Sequence, residues 1–305
     1  MSWNAGRAFK DQPESPALKP PPFEYYAPTD LNEAIALLSG CENARLLAGG
    51  QSLMAMLNMR YVFPDRIVDL NRVAELDFIR EQADAIAVGA MTRQRTVQRS
   101  QLIAARLPVL PKALRHVGHF QTRNRGTIGG SLCQLDPAAE LPAVAMAYDA
   151  IAVANGPGGR RDIPFEQFPL TFMTSALAPD EILTCVLFTP WRGRIGTGFS
   201  EFSRRHGDFA VAGAVALLSA GATGVVARAS LTVFGIAEAP RRVPEAESVL
   251  VGHRASPEVI DAAASLCIAH ATLEDAYGSA EYRGHVAAAM AKDALNEAAS
   301  ELERG

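Results

Sequence analysis

The sequence has few cysteines and no pair at metal-binding spacing. Its four cysteines, Cys41, Cys133, Cys185 and Cys267, stand far apart, and no CxxC motif occurs. This spacing argues against a zinc site, an iron–sulfur cluster held within the chain and a disulfide framework. The N-terminal MSWNAGRAFKDQPESP also lacks the apolar stretch of a secretory signal. We therefore expect a reducing compartment and a cytoplasmic protein.

The chain also lacks a strong net charge and a long hydrophobic run. Its formal net charge is −4 over 305 residues, which gives no reason to expect nucleic acid or an anionic membrane as a partner. Residues 209–227 contain no charge, but the AGATG at 220–224 predicts two buried strands joined by a turn rather than a membrane span.

Three common catalytic or phosphate-binding motifs are missing as well. No GxxxxGKS/T loop occurs. The GTGFSE at 196–201 lacks the third glycine and the following helix of a dinucleotide fingerprint. The GQS at 50–52 continues with Leu53 and Met54, whereas a hydrolase elbow needs a second glycine.

The remaining pattern alternates short strands and helices. Residues 1–22 end in LKPPP and are expected to form a flexible extension. Asp30 and Glu33 predict a capped helix that ends at Gly40. Strands are expected at 44–48 and 66–70, with a short helix capped by Ser52 between them. This order predicts a small α/β unit.

Two hairpins and several helices follow. The hairpins are expected at 77–90 and 150–165, and a buried strand at 181–188. Between them, Thr92 is expected to open one helix, a second spans about 109–118, and Asp136–Pro137 opens a third; HFQTRNRG (119–126) reads as a polar stretch. From about residue 198, three consecutive strands precede alanine-rich helices that begin at Ser256–Pro257 and Ser279. No long βαβα alternation supports a doubly wound sheet.

Two glycine pairs stand out: AGGQSLMAML at 48–57 and TIGGSLCQLD at 127–136. Both are expected on strand-to-helix turns, where successive backbone N–H groups form a nest for an anion such as phosphate. Ser52, Thr127 and Ser131 supply hydroxyl donors. Two tight turns that hold no ligand explain the pattern equally well.

A family resemblance gives these motifs a specific meaning. The stretches FEYYAPTDLNEAIALL, LLAGGQSLMAMLNMR, HFQTRNRGTIGGSLCQLDPAAELPAVAMAYDA and SRRHGDFAVAGAVA resemble the FAD-carrying medium subunit of molybdenum hydroxylases, which include aerobic carbon monoxide dehydrogenase and xanthine oxidase relatives. The resemblance implies an α+β protein. Its two FAD-binding subdomains, of the vanillyl-alcohol-oxidase type, would span 23–80 and 81–195. A C-terminal domain at 198–303 would hold a three-stranded antiparallel sheet and a helix bundle.

The resemblance also implies which residues bind FAD. Glu140 would lie near the adenosine end and accept hydrogen bonds from the ribose; a glutamate that only stabilises a helix start is the alternative. Val117 and Leu183 would pack near the flavin ring, and both are equally credible as core residues. Some relatives place a lysine near Ser200, which this chain lacks. The pyrophosphate and its neighbouring groups would contact two segments, formed by Leu46, Leu47, Ala48, Gly49, Gly50, Gln51, Ser52 and Leu53 and by Thr127, Ile128, Gly129, Gly130 and Ser131.

Other candidate residues have plainer explanations. His116 and His119 share a helical spacing but lack a third metal ligand, so a surface or capping role is favoured. Cys133 is expected to be a small buried residue. Residues 123–125 (RNR) form a solvated loop, line the flavin or face a partner, and residues 204–206 (RRH) are favoured as a strand-end turn.

The role implied by the resemblance is an electron relay. FAD is held noncovalently and passes electrons from the iron–sulfur clusters of a partner to an external acceptor, with no catalytic acid, base or nucleophile in this chain. A large subunit would carry the molybdenum cofactor and a small one the 2Fe–2S clusters, in a dimer of heterotrimers. A stand-alone FAD-dependent NAD(P)H oxidoreductase is the main alternative, and a non-enzymatic anion-binding protein is a third.

Overall fold

The computed structural model describes residues 20–304, so the extension expected at 1–22 lies almost wholly outside the described residues. The described chain contains 14 strands in four sheets. In chain order they are β1 Glu24–Tyr26, β2 Ala44–Leu47, β3 Arg66–Asp69, β4 Ile79–Gln82, β5 Ala85–Gly89, β6 Ile151–Gly156, β7 Gly159–Pro164, β8 Pro169–Thr171, β9 Thr174–Ser175, β10 Ile182–Phe188, β11 Arg194–Ser203, β12 Ala210–Ala220, β13 Val226–Phe234 and β14 Arg241–Arg242.

Eleven α-helices accompany these strands in the described chain. They are α1 Leu31–Ser39, α2 Leu53–Asn58, α3 Gln94–Arg99, α4 Gln101–Arg106, α5 Val109–Leu114, α6 Phe120–Arg125, α7 Ile128–Gln134, α8 Glu140–Ala147, α9 Pro244–Leu250, α10 Pro257–Ser265 and α11 Ala280–Arg304.

The first sheet confirms the predicted α/β unit. It is parallel, in the order β1-β3-β2, because α1 and α2 each connect two of its strands. The Asp30 carboxylate accepts the Glu33 N–H at 2.9 Å and caps α1 as predicted. The cap predicted at Ser52 is wrong: its backbone is already helical (φ −98°, ψ −52°), and its hydroxyl accepts no hydrogen bond from α2.

The second sheet contains both predicted hairpins. Its order is β4-β5-β10-β6-β7 with all pairs antiparallel, so β10 lies between the two hairpins. Helices α5, α7 and α8 share a hydrophobic core with β5, β6 and β10. Strand β4 starts at Ile79, so it crosses the boundary expected between the two FAD-binding subdomains at residue 80. Strand β11 starts at Arg194, four residues before the expected start of the C-terminal domain at residue 198.

Several helix predictions between the hairpins need correction. Thr92 opens no helix; its hydroxyl is buried and donates to Phe78 O at 2.9 Å. The one helix predicted to follow Thr92 is in fact two, α3 and α4. The extended backbone of Ser100 separates them, and the Ser100 hydroxyl caps α4. The polar stretch at 119–126 forms α6. The third helix starts at Glu140, since Asp136 first forms a turn by accepting the Ala138 N–H at 2.9 Å.

The C-terminal unit packs a sheet against one long helix, α11, and two short ones, α9 and α10. The sheet, β11-β12-β13-β14, has the three predicted strands and a fourth of two residues at its edge. Helix α11 lies on β11, where a Cβ on Gly196 or Gly198 would stand only 1.9 or 1.8 Å from a carbonyl oxygen of α11. As predicted, residues 209–227 hold two strands and a turn: they contain β12, the turn after it and the start of β13. No helix of the described residues is long and apolar enough to cross a membrane.

An ion cluster ties the C-terminal unit to α5. Lys112 Nζ lies 2.8 Å from Glu297 and 2.7 Å from Glu301, both on α11, and donates to Thr197 O at 2.7 Å. Burial acts to raise the pKa of Glu301, but the hydrogen bonds from Lys112 and the Thr197 N–H hold it below its usual range. Lys112 on α5 thus links the part of the chain before residue 194 to β11 and α11 of the C-terminal unit.

Replacing Lys112 with methionine should lower the free energy of unfolding by about 2 kcal/mol, because two partly buried carboxylates lose their cation. Urea unfolding at neutral pH measures this loss. Lys292→Met is the matched control, since Lys292 pairs with Asp261 on the surface with both side chains about half exposed. That control should cost about 0.5 kcal/mol or less. Equal losses in the two variants would contradict a linking role for Lys112.

Candidate functional site

The first glycine segment, residues 46–53, leaves β2 and enters α2. Gly50 has φ +74°, a conformation that favours glycine. Within residues 20–304, the backbone N–H groups of residues 49–53 donate to no protein acceptor, whereas the next amide, that of Met54, donates to Gly50 O. Five successive N–H groups are thus free to act as a donor array, and successive backbone N–H groups in a turn can bind an anion.

The second glycine segment, residues 127–131, differs from its prediction. It follows α6 rather than a strand, and it forms the start of α7 with Thr127 as the cap. Its amides already have acceptors: Gly129 N–H donates to Ala90 O at 2.8 Å, and Gly130 N–H to the Thr127 hydroxyl at 2.9 Å. The predicted backbone nest is therefore wrong for this segment. A Cβ on Gly129 would lie 2.6 Å from that of Ala90, so close packing explains this glycine.

The two glycine segments nevertheless meet in space. A Cβ on Gly49 would lie 2.4 Å from Arg125 O and 2.8 Å from Gly126 Cα, immediately before the second segment. A Cβ on Gly130 would lie 3.5 Å from Ala48 Cβ. Two stretches about eighty positions apart therefore lie side by side, and the backbone amides without a protein acceptor belong to the first.

A second candidate region contains two buried carboxylates, Glu140 at the start of α8 and Glu201 on β11. Burial, together with the charge of Glu201, raises the pKa of Glu140 to about 8, and burial raises the pKa of Glu201 to about 7. The Glu201 side chain is 2% exposed, and its Oε2 has no hydrogen-bond partner in the described chain. His116 Nδ1 lies 3.9 Å from Glu201 Oε1. Two such carboxylates suit a ligand that donates hydrogen bonds.

Val117 and Leu183 occupy different environments. Arg123 donates to the carbonyls of Val117 and Gly118 at 2.8 and 2.9 Å, and its charge also acts on Glu140. Val117 is half-buried and packs against the hydrophobic core. Leu183 is 3% exposed and belongs to the hydrophobic core, which leaves it almost no surface for a ligand.

The remaining candidates have structural contacts. The His116 ring packs on Phe199 at 4.9 Å, and burial lowers its pKa. His119 packs against Gly207 and meets His206 edge-on. Burial raises the pKa of the Cys133 thiol to about 12, so it stays protonated. Within residues 20–304, no group of three His, Cys, Asp or Glu residues is arranged to hold a metal ion.

Comparison with known families decides the class of this site. Residues 21–191 match the family described as the FAD binding domain in molybdopterin dehydrogenase. Residues 197–298 match the CO dehydrogenase flavoprotein C-terminal domain. The chain belongs to this flavoprotein family. It is an oxidoreductase subunit, the FAD-carrying component of a molybdenum hydroxylase, and the resemblance inferred from its motifs is confirmed.

Relatives of the flavoprotein cover it almost from end to end. It is 38% identical to the 6-hydroxypseudooxynicotine dehydrogenase complex subunit alpha of Paenarthrobacter nicotinovorans, over 92% of this chain and 96% of that protein. It is 37% identical to the carbon monoxide dehydrogenase medium chain of Hydrogenophaga pseudoflava, over 92% and 98%. The structure of carbon monoxide dehydrogenase from Hydrogenophaga pseudoflava matches with a TM-score of 0.90 at 36% identity, covering 92% of this chain and 99% of that one. The predicted α+β fold is confirmed.

Sequence reasoning missed Glu201 in this flavoprotein. It considered the adjacent Ser200, at which some relatives carry lysine, but Ser200 faces α11 and its hydroxyl contacts Met290. Because successive side chains of a strand point to opposite faces, the next residue faces α5 and α8. A lone charged residue within the largely uncharged strand GTGFSEFS was the available signal.

Proposed function

We propose that this flavoprotein relays electrons within a multisubunit molybdenum hydroxylase, from iron–sulfur clusters of a partner subunit through its own FAD to an external acceptor. Its similarity to carbon monoxide dehydrogenase medium chains and to subunits of other dehydrogenases supports this role. FAD, when bound, supplies redox chemistry that proceeds in one- or two-electron steps. The chain supplies binding, orientation and electrostatics.

The observation that carries the proposal is the donor array of the first glycine segment. A pyrophosphate bears negative charge on closely spaced oxygens, and five free N–H groups at residues 49–53 match this need. We propose that Leu46–Leu53 line the pyrophosphate and the groups next to it. The second segment contributes differently, through the hydroxyls of Thr127 and Ser131 and the close approach allowed by Gly129 and Gly130. Ile128 is buried in the hydrophobic core and supports the second segment from inside the protein.

The carboxylate side of the site is proposed to hold the adenosine end of the cofactor. The Glu140 carboxylate would accept hydrogen bonds from the ribose hydroxyls, as its buried position favours a donor. We propose that half-buried Val117 packs near the flavin ring, as the family resemblance implies. Leu183 supports the site from the core.

The assembly and the compartment are also proposals. We propose a large subunit with the molybdenum cofactor and a small subunit with 2Fe–2S clusters, assembled as a dimer of heterotrimers. The three units of the chain divide this work: those preceding residue 194 enclose FAD, and the C-terminal unit closes the adenosine side through Glu201. A cytoplasmic location is supported by the four cysteines, all free thiols.

The chain purified alone should contain stoichiometric FAD and show flavin absorbance in the visible range, because the donor array needs no partner residue to form. Cofactor released by denaturation and identified by chromatography measures this. Without partners, the chain should oxidise NADH only slowly. A colourless chain that takes up no added FAD would contradict the assignment of the site.

The stand-alone oxidoreductase remains the alternative, and one comparison separates it from the relay. If the chain is a relay, co-expression with its large and small partner subunits yields a complex that holds molybdenum, iron and FAD together. If the isolated chain instead turns over NADH as fast as the native protein does, the stand-alone function is correct.

A further inference from the structure

The side chains of Asn71 and Arg93, which lie outside the glycine segments, connect the first segment to the residues just before the second. Asn71 lies in a 3₁₀ turn directly after β3, and its Nδ2 donates to Ala48 O at 2.9 Å. Asn71 Oδ1 accepts a hydrogen bond from the Arg93 guanidinium, and the other Nη of Arg93 donates to Arg125 O at 2.5 Å. A continuous series of hydrogen bonds therefore runs from Ala48 to Arg125 through these two side chains.

Both side chains start from fixed backbone. The Asp69 carboxylate accepts the Asn71 backbone N–H at 2.9 Å, which holds the turn after β3. Arg93 forms an antiparallel β-bridge with Thr127, the cap of the second glycine segment. Asn71 is exposed and Arg93 is half-buried, so their hydrogen bonds lie at the edge of the site rather than in the core.

The hydrogen bond to Ala48 has a consequence for the donor array. Ala48 O and Gly49 N–H belong to one planar trans peptide, so they point in opposite directions. When Asn71 holds Ala48 O, the Gly49 N–H is turned away from Asn71 and stays free to donate. Arg125 O, at the other end of the series, is the atom against which Gly49 packs. The network thus orients the first amide of the array and connects Ala48 to Arg125 O, next to the second segment.

We propose that Arg93 and Asn71 are positioning residues that hold the two glycine segments in the arrangement that FAD needs, before FAD binds. This inference rests on the proposed FAD function. A site that is ordered in advance avoids the entropic cost of ordering its loops on binding. Arginine suits the task because its planar fork reaches two acceptors at once, whereas lysine offers a single point charge.

The experiment compares three arginine variants of the full chain after removal of FAD. Arg93→Met should weaken the binding of FAD and of ADP roughly tenfold or more, since two charge-assisted hydrogen bonds are lost. Weak binding of riboflavin, which lacks the pyrophosphate, should not change. Arg93→Lys should lie between Arg93→Met and the wild type. Arg72→Met is the matched control, an exposed arginine beside Asn71, and should bind FAD within about twofold of the wild type.

A double-mutant cycle tests whether the two residues act together. If they form one network, the loss in Asn71→Ala/Arg93→Met is smaller than the product of the two single losses. Circular dichroism and thermal unfolding of the FAD-free variants separate this effect from misfolding. If Asn71→Ala fails to fold, Asn71→Asp takes its place, because it keeps the oxygen that accepts from Arg93. Wild-type FAD affinity in Arg93→Met, or independent effects in the cycle, overturns the inference alone. A wild-type chain that binds no FAD overturns the proposed function as well.

Discussion

Gly49→Ala is expected to lower FAD affinity about 100-fold, although it adds a single methyl group. That methyl carbon would lie 2.4 Å from Arg125 O and 2.8 Å from Gly126 Cα, and both are backbone atoms that cannot rotate away. The two glycine segments must therefore separate, and such overpacking costs about 1–3 kcal/mol. The separation also moves the free amides of residues 49–53 relative to the second segment, so binding suffers in addition to stability.

The measurement is FAD retained per chain after gel filtration, followed by titration with FAD. Gly158→Ala is the control, because a Cβ there meets no atom within 4 Å and Gly158 lies in the hairpin turn far along the chain. It should retain FAD as the wild type does. If Gly49→Ala retains FAD equally well, the two segments do not grip one cofactor.

The FAD-free protein is expected to lose stability as the pH rises from about 5 to about 8. In the unfolded chain a glutamate releases its proton near pH 4.3. In the folded chain Glu140 and Glu201, with pKa values of about 8 and about 7, keep theirs. The folded state thus binds more protons across this window, so stability is full below about pH 4.5 and falls as pH rises. Carboxyls whose pKa is lowered, such as Asp162 and Glu181, act below this window.

Glu140→Gln should remove roughly half of this dependence, because Glu201 also titrates within the window. The amide has nearly the same shape and carries no charge, so the variant should be more stable than the wild type by on the order of 3 kcal/mol at pH 8 and equally stable at pH 4.5. Urea unfolding of FAD-free protein at several pH values measures the difference. Glu166→Gln, at an exposed position, should leave the profile unchanged. A Glu140→Gln profile that falls as steeply as the wild-type profile from pH 5 to 8 would show that Glu140 does not contribute.

The same substitution should weaken FAD binding while it stabilises the empty protein. Ribose hydroxyls that donate to Glu140 favour its ionised form, which presents two acceptor oxygens, whereas an amide presents one, so these hydrogen bonds are weakened. Opposite signs for stability and binding are typical of a functional residue whose burial is unfavourable without its ligand.

Features that depend on near neighbours in the chain were predictable. The Asp30 cap of α1, the hairpins β4–β5 and β6–β7 and the turn between β12 and β13 all arise from residues within a few positions of one another. The positive φ at Gly50 follows from the local geometry of its turn. The order of motifs along the chain identified the family and its cofactor, because the glycine segments and the SRRHGD stretch occur in the same order as in the family's other members.

The tertiary structure decided which of these residues form a site. The amides of the second glycine segment are bonded within the protein, to Ala90 O for example, because β5 ends beside them; a sequence shows a glycine pair but not the acceptor that another strand provides. The contact of Gly49 with Arg125 and the pairing of Glu140 with Glu201 join residues more than sixty positions apart. The sequence by itself therefore determined the local elements and the family, through short-range backbone preferences and motif order. Only packing over long range decided which amides stay free and which carboxylates share a buried space.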